Sequence, residues 1–228
     1  LDEIRVKDLD ASQFTADLVA KLGADFQDQD KLGRLKVITD LGLEDASACA
    51  TLPTTGQPIA FPDETPVAGC VYENLYSFGS RSFTIWDTST GRPVFDSGSE
   101  FERITGQQLG GSFNASNDSN DGDDRSDDKG PEPEAVEIAT INGNTFAFVV
   151  LERVGGVMVY NITNPQNAKF VQYINPRDFT VDDDAVEANL AGPLGPEDVK
   201  FITQDGEMYL LVSNEVSGTL SIYSVTLL

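Results

Sequence analysis

Four glutamates carry the chemistry that this sequence could perform. Glu197 lies 63 residues after Glu134, and Glu215 lies 63 residues after Glu152. Carboxylates held together repel one another unless a cation neutralises them. Oxygen ligands suit a hard ion, and Ca²⁺ accepts irregular cages of roughly six to eight oxygens. Three further acids, Asp127, Asp128 and Glu132, precede the first glutamate in SDDKGPEPEAVEI (Ser126 to Ile138). A barer version of that stretch, LGPEDVKFI, runs from Leu194 to Ile202. The structural alternative is that these glutamates accept backbone N–H bonds or pair with nearby arginines. Arg153 adjoins Glu152, and Arg177 adjoins Asp178. A degenerate EF-loop spacing also occurs at Asn117, Ser119, Asp121, Gly122 and Asp128. Its first position is Asn rather than Asp and its last is Asp rather than Glu. A solvated, disordered linker over residues 114–124 is the simpler reading of that segment.

The elements that position these residues follow from an internal repeat. Displaced by 63 residues, Pro133-Glu134 falls on Pro196-Glu197, Val136 on Val199, Gly143 on Gly206, Val149 on Val212 and Tyr160 on Tyr223, without a gap. Such a period marks a repeated supersecondary unit. In the first copy, EAVEIATI, FAFVVLE, VMVYNI and KFVQYI alternate or run apolar between turn signals, NGN among them, and predict four antiparallel strands. The second copy shows three. This pattern predicts an all-β fold, a β-propeller of four-stranded antiparallel blades, with about three blades here and a larger, about seven-bladed, whole. A β-sandwich of about a dozen strands is the rival.

The expected divisions are a connecting segment with a short amphipathic helix (residues 1–33, apolar at Phe14, Leu18 and Leu22) and a diverged blade over 34–97 built from RLKVIT, ENLYSFG, SFTIWDTS and RPVFDSG. An acidic top-face loop (98–133) follows, opening on a Ser99/Glu102 capping box and a short helix. Then come a blade (134–174), a second top-face loop (175–196) and a last blade (197–228). If each first strand starts at the top of its blade, the second strand ends there. Antiparallel pairing then brings all four glutamates to one face, beside loops rich in aspartate.

Composition removes several functions. The chain has 38 acidic and 15 basic residues, a net charge of −23, so phosphate-rich nucleic acid is repelled. It has no histidine, which excludes His-based triads and His-ligated zinc within the chain. No run of about 18 apolar residues predicts a membrane helix. Cys49 and Cys70 bracket a Pro- and Thr-rich stretch, which favours a disulfide and an oxidising compartment over two free thiols. Sequons at Asn114, Asn117 and Asn161 are compatible with secretion. The opening LDEIRVKDLD lacks an initiator Met and does not read as a signal peptide, so a processed product or fragment is expected.

LYSFGSRSFTIWD, VFDSGSEFE, RSDDKGPEPE, LERVGGVMVY, NPRDF, LGPEDVKFI and SNEVSGTLSIY together resemble the choice-of-anchor I family over about Arg34 to Val225. Its relatives include mesenchyme-specific cell surface glycoproteins and bacterial proteins labelled alkaline-phosphatase-like. The resemblance corresponds to the C-terminal part of the family domain. It implies a secreted or surface propeller whose remaining blades lie on the same precursor or another chain, and a context that includes calcium mineral deposition. Asp127, Asp128, Glu132, Glu134, Glu152, Glu197 and Glu215 match the family pattern in place. Two functions are then expected. The first is a Ca²⁺-binding adhesion, matrix or mineral-handling module. The second is a Ca²⁺-dependent phosphoesterase, with metals held by the carboxylates and phosphate clamped by Lys129, Arg153 and Arg177.

Overall fold

The computed structural model describes residues 3–49, 69–79 and 81–227, which form two compact units divided after Gly79. In the first unit, β1 (Glu3–Arg5) is followed by α1 (Ala16–Leu22) and β2 (Lys36–Ile38). Strands β1 and β2 pair antiparallel, with Ile4 opposite Val37. Thr15 caps α1 by accepting a hydrogen bond from the Leu18 amide at 3.2 Å. The helix is shorter than expected, because residues 11–13 form a 3₁₀ turn and Phe14 is drawn into a bridge with Tyr72. Phe14 and Leu18 are buried as the periodicity predicts, whereas Leu22 sits at the exposed end. The core gathers Ile4, Val6, Phe14, Phe26, Val37 and Tyr72. The Tyr72 hydroxyl donates to the Thr39 carbonyl at 2.9 Å, and burial pushes its pKa up to about 12.

Cys49 and Cys70 are joined in a disulfide and both are buried in this core. The bond closes a separation of 21 residues. Reduction, or Cys49→Ala with Cys70→Ala, is expected to lower the stability of the first unit by about 3 kcal/mol through the entropy of the opened loop. Thermal melts with and without reductant check this, and residues 81–227 should melt unchanged. The insertion between the cysteines otherwise lies outside the described residues.

Among the described residues, the expected diverged blade over 34–97 is not one sheet. Its first segment, β2, pairs with β1 and meets the second segment only through an isolated antiparallel bridge, Val37 to Ser77. Its third and fourth segments form a hairpin in the second unit, β3 (Thr84–Asp87) with β4 (Arg92–Asp96). Residues 1–33, expected as a connector, instead supply β1 and much of the first core.

The second unit continues with α2 (Glu100–Leu109), then β5 (Pro133–Ile141), β6 (Asn144–Leu151), β7 (Val157–Asn161) and β8 (Lys169–Ile174). After α3 (Asp183–Glu187) come β9 (Pro196–Gln204), β10 (Glu207–Asn214) and β11 (Thr219–Ser224). The strands form antiparallel sheets in the orders β5-β6-β7-β8 and β9-β10-β11. Asn142 and Gly143 have positive φ and turn β5 into β6, as the NGN signal predicts. The protein is thus mostly antiparallel β structure.

Alternation along β6 buries both of its faces. Phe146, Phe148 and Val150 pack against Val199, Leu210 and Val212 of the second sheet. Val149 and Leu151 pack against Phe101 and Ile104 of α2. The two first strands lie close together: Lys200 Nζ donates to Glu137 Oε1 at 2.7 Å, a pair that is itself 63 residues apart. The expected helix after Ser99 is present, but the capping box is not. The Ser99 side chain makes no capping bond. Glu102 instead accepts from Arg81 Nη1 at 2.6 Å and from Asn114 Nδ2 at 2.9 Å.

Candidate functional site: a glutamate mouth above an arginine hub

The chain enters each first strand by the same route. The Glu152 amide donates to the Glu132 carbonyl at 2.8 Å, and the Glu215 amide donates to the Gly195 carbonyl at 2.7 Å, 63 residues on in both partners. Glu132 and Gly195 both adopt the left-handed conformation, with φ of 50° and 66°. Glycine reaches this region freely, whereas an L side chain is strained there by about 1–2 kcal/mol. The side chain of Glu132 therefore needs compensating contacts.

It has three. Glu132 Oε1 accepts from Arg125 Nη2 at 2.6 Å and from Arg153 Nε at 3.1 Å, while Lys129 Nζ lies 3.4 Å from Oε2. The Glu132 side chain is only 9% exposed. Burial works against its charge, but the Arg125 bond and the charges of Arg153 and Lys129 outweigh it and hold the carboxyl below its ordinary range. Asp128, 5% exposed at the side chain, pairs with Arg125 at 3.0 Å. Asp127 is half-buried in the same turn. Glu132 and Asp128, read from the sequence as metal ligands, are thus components of a buried ion-pair hub. Their spacing predicted proximity to the mouth but not the arginines that reach them.

Glu134, Glu152, Glu197 and Glu215, the four acids expected at a propeller mouth, lie beside this hub. Glu152 is half-buried and the other three are exposed. Burial pushes the Glu152 carboxyl up; Arg153, at 3.1 Å, opposes this, and the charges of Glu132, Glu134 and Glu197 add to it. The Glu197 carboxyl is also raised, by desolvation and then by Glu134 and Glu215. The antiparallel topology therefore brings the four glutamates within electrostatic reach of one another. Among the described residues, no three or more acidic or cysteine side chains are already gathered in a geometry that could hold a metal ion.

These shifts have opposite signs, so the two kinds of carboxyl act on stability in opposite directions as the pH falls. A carboxyl with a raised folded pKa favours folding more as pH falls through that pKa, because the native state then binds the extra proton. Glu152 and Glu197 should add stability as the pH falls from neutral through their raised folded pKa values. Glu132, held low, contributes above its unfolded pKa and loses that contribution as the pH falls through its lower, folded pKa. Urea unfolding across pH 3–8 checks the profile, and Glu152→Gln should flatten its neutral limb.

The two long connections meet. Asn120 donates from its amide to Asp183 Oδ1 at 2.9 Å and from Nδ2 to the Val181 carbonyl at 2.8 Å. Arg177, which is buried, holds them together. Its guanidinium donates to the carbonyls of Ser116 (2.7 Å), Ser119 (2.7 Å) and Arg153 (3.2 Å), and to Asn120 Oδ1 (3.1 Å). The Phe179 ring covers it at 4.9 Å, and burial pushes its pKa down to about 10. The segment read as a disordered linker is thereby fixed. The EF-like spacing does not form a loop of that type: the Asp128 carboxylate faces Arg125, and the Ser119 carbonyl faces Arg177.

The expected phosphate clamp is otherwise engaged. Lys129 and Arg153 meet at Glu132, and Arg177 binds backbone oxygens. The sequence reading missed Arg125 and Arg81. Arg81 Nη2 donates to the carbonyls of Ser126 and Asp128, and a Cβ on Gly130 would come within 3.0 Å of the Arg81 side chain.

Comparison with known proteins supplies the context. Residues 61–165 match the choice-of-anchor I domain. The match bears out the family resemblance and includes α2, the acidic loop, β5, β6 and β7. Gigasin-3a of Magallana gigas is 28% identical over 166 residues, covering 68% of this chain and 58% of the relative. The chain therefore spans less than two thirds of that relative's length. With the disulfide, the domain match points to an extracellular or surface protein. Among the described residues, no helix is long and apolar enough to cross a membrane.

Proposed function

We propose that this chain belongs to a secreted or cell-surface β-propeller that binds Ca²⁺ at its glutamate mouth and acts as a binding or structural module in adhesion, matrix or mineral handling. The observation that carries the reading is the convergence of Glu134, Glu152, Glu197 and Glu215 from repeat-equivalent positions, with Arg153 in contact with one of them. Their oxygens suit a hard cation. Because the side chains are not drawn into a cage beforehand, affinity belongs to the weak extracellular class, with Kd on the order of 0.1–1 mM.

The propeller half of the proposal is supported by the repeat. Two sheets of the same strand order stack face to face, with their first strands side by side. Val157 and Val159 pack against the second sheet, whereas their equivalents Leu220 and Ile222 are 58% and 63% exposed. That apolar back suits a further sheet, from the remaining blades of the same precursor or of another chain.

A Ca²⁺ titration followed by calorimetry and thermal shift tests the cation half. At ten times Kd, Ca²⁺ should stabilise the protein by about 1.4 kcal/mol. Glu134→Gln with Glu197→Gln should abolish that gain and raise stability without Ca²⁺. An equal response in wild type and double variant, or none in either, would sink the cation reading. Assay of p-nitrophenyl phosphate with Ca²⁺ should show no turnover; chelator-sensitive hydrolysis lost in the double variant would favour the phosphoesterase instead.

A further inference from the structure

The chain has a single tryptophan, Trp86, and its side chain stands on the surface of β3, 57% exposed. A lone exposed aromatic needs no explanation by itself. This one lines a cleft together with fixed polar groups, which is the composition of a binding site. The local strand geometry accounts for the cleft. Ile85 pairs with Phe95 and Trp86 with Pro93, so Val94 is the extra residue of a β-bulge. Bulges re-aim side chains. Ile85, Trp86 and Val94 therefore line one cleft, which strict alternation would divide between two faces.

The cleft has a volume of ≈ 460 Å³, and its other wall is the turn between β7 and β8, at Asn164 and Gln166. It is separate from the glutamates. Asn161, the last residue of β7, pairs with Phe146 near the start of β6, whereas Glu152 follows the end of β6.

The polar groups of the cleft have defined capacities. Asp87 Oδ1 accepts from the Ser89 amide at 2.8 Å and from the Ser89 hydroxyl at 2.6 Å. These bonds hold the carboxyl below its ordinary range, so it remains an anion with a second oxygen that can accept. Asn164 Oδ1 accepts from the Gln166 amide at 3.1 Å, which leaves Nδ2 as a donor. The exposed Gln166 side chain both donates and accepts.

That set selects among ligand classes. A phosphate or nucleotide meets Asp87 and finds no cation among the described residues of the wall. A quaternary ammonium is held by a cage of aromatics, and the described wall has one. A sugar ring matches both kinds of surface. Its C–H face lies flat on an indole, and its hydroxyls donate to a carboxylate and accept from amides.

We infer that the Trp86 cleft binds a pyranose unit of an extracellular polysaccharide, stacked on the indole and held at its hydroxyls by Asp87, Asn164 and Gln166. The site gives a surface protein a contact with a carbohydrate matrix that needs no cation. The inference uses neither the Ca²⁺ reading nor the propeller reading, so its test and the Ca²⁺ titration fail independently.

Because Trp86 is the single tryptophan, its emission reports on this cleft alone in the unaltered chain. The chain is titrated with cellulose, chitin and mannan oligosaccharides. At least one of them should shift the emission to the blue and protect Trp86 from acrylamide quenching. With that oligosaccharide, calorimetry should show binding weakened at least about tenfold in Trp86→Ala. Asn164→Ala and Asp87→Asn should each weaken it by about threefold or more. Trp86→Phe should retain part of what Trp86→Ala loses, because a smaller ring still stacks. Thermal melts of the Trp86 and Asn164 variants should match wild type, since both side chains are exposed. No shift with any of the three oligosaccharides overturns the inference, as does binding that Trp86→Ala leaves unchanged. A tryptophan that acrylamide cannot quench in the free chain overturns it too, because the indole is then covered. A shift produced by tetramethylammonium and by no oligosaccharide also overturns it and assigns the cleft to a cationic ligand.

Discussion

Glu132→Gln is expected to lower the unfolding free energy of the Ser80–Leu228 unit by about 3–5 kcal/mol, the cost of removing one partner from a buried ion-pair network. The substitution keeps the shape of the side chain and removes its charge. It leaves Arg125, Lys129 and Arg153 without the shared carboxylate, and the melting temperature should fall by roughly 10 °C. Glu132→Gly is the informative companion. It loses the same ion pairs but relieves the left-handed backbone that Gly195 occupies without strain in the second copy. It should therefore be less destabilising than Glu132→Gln, by about 1 kcal/mol. Urea unfolding of both variants at pH 7 decides this. Equal stability of wild type and Glu132→Gln would show that the hub contributes nothing.

Arg177→Met is the second large effect expected. The thioether fills part of the volume under Phe179, but the carbonyls of Ser116, Ser119 and Arg153 lose their donor. Each buried acceptor left unpaired costs about 1–3 kcal/mol, and partial access of water brings the expected total to about 3–5 kcal/mol. Arg177→Lys should recover only part, since one ammonium cannot reproduce the planar fork that spans these acceptors. Hydrogen exchange supplies the second readout. Amides of Asn120 and its neighbours should lose protection in Arg177→Met, while the β6–β7 ladder keeps its own. A loop that stays protected would mean that Asn120 and Asp183 hold the two connections without the arginine.

The two variants separate contributions that proximity alone would merge. Glu132 and Arg177 both lie beside Arg153, yet one is a buried anion with three cations and the other a buried cation held by neutral carbonyls. Lowering the pH should weaken the first and leave the second unaffected. A double variant should be close to additive if the networks are independent, and any excess measures their coupling through Arg153.

Much of the second unit was legible in the sequence. Period-2 alternation and the NGN turn marked β5 and β6, and the 63-residue displacement placed β9 and β10 on the same plan. The first unit was less legible, because β2 has three residues and pairs with Glu3–Arg5, a segment with no strand signal of its own. For the site, the repeat put Glu134, Glu152, Glu197 and Glu215 at equivalent positions, but it gave no sign that Asp128 and Glu132 pair with Arg125. Asp128 and Glu132 look like ligands when read beside other acids, and their true partner Arg125 stands within the same acidic run.

The sequence by itself determined the strand periodicity, the repeat, the pair of cysteines available for a disulfide and the excess of carboxylates, because each depends on residue type and local spacing. Only the tertiary structure decided which carboxylates are neutralised and which are not. Ion pairing depends on distances of a few ångströms between side chains that the chain separates widely, as when Arg177 reaches back to Ser116 and Ser119. The same folding that places Glu132 among three cations leaves Glu134, Glu197 and Glu215 exposed at the mouth, and that contrast depends on burial and contact.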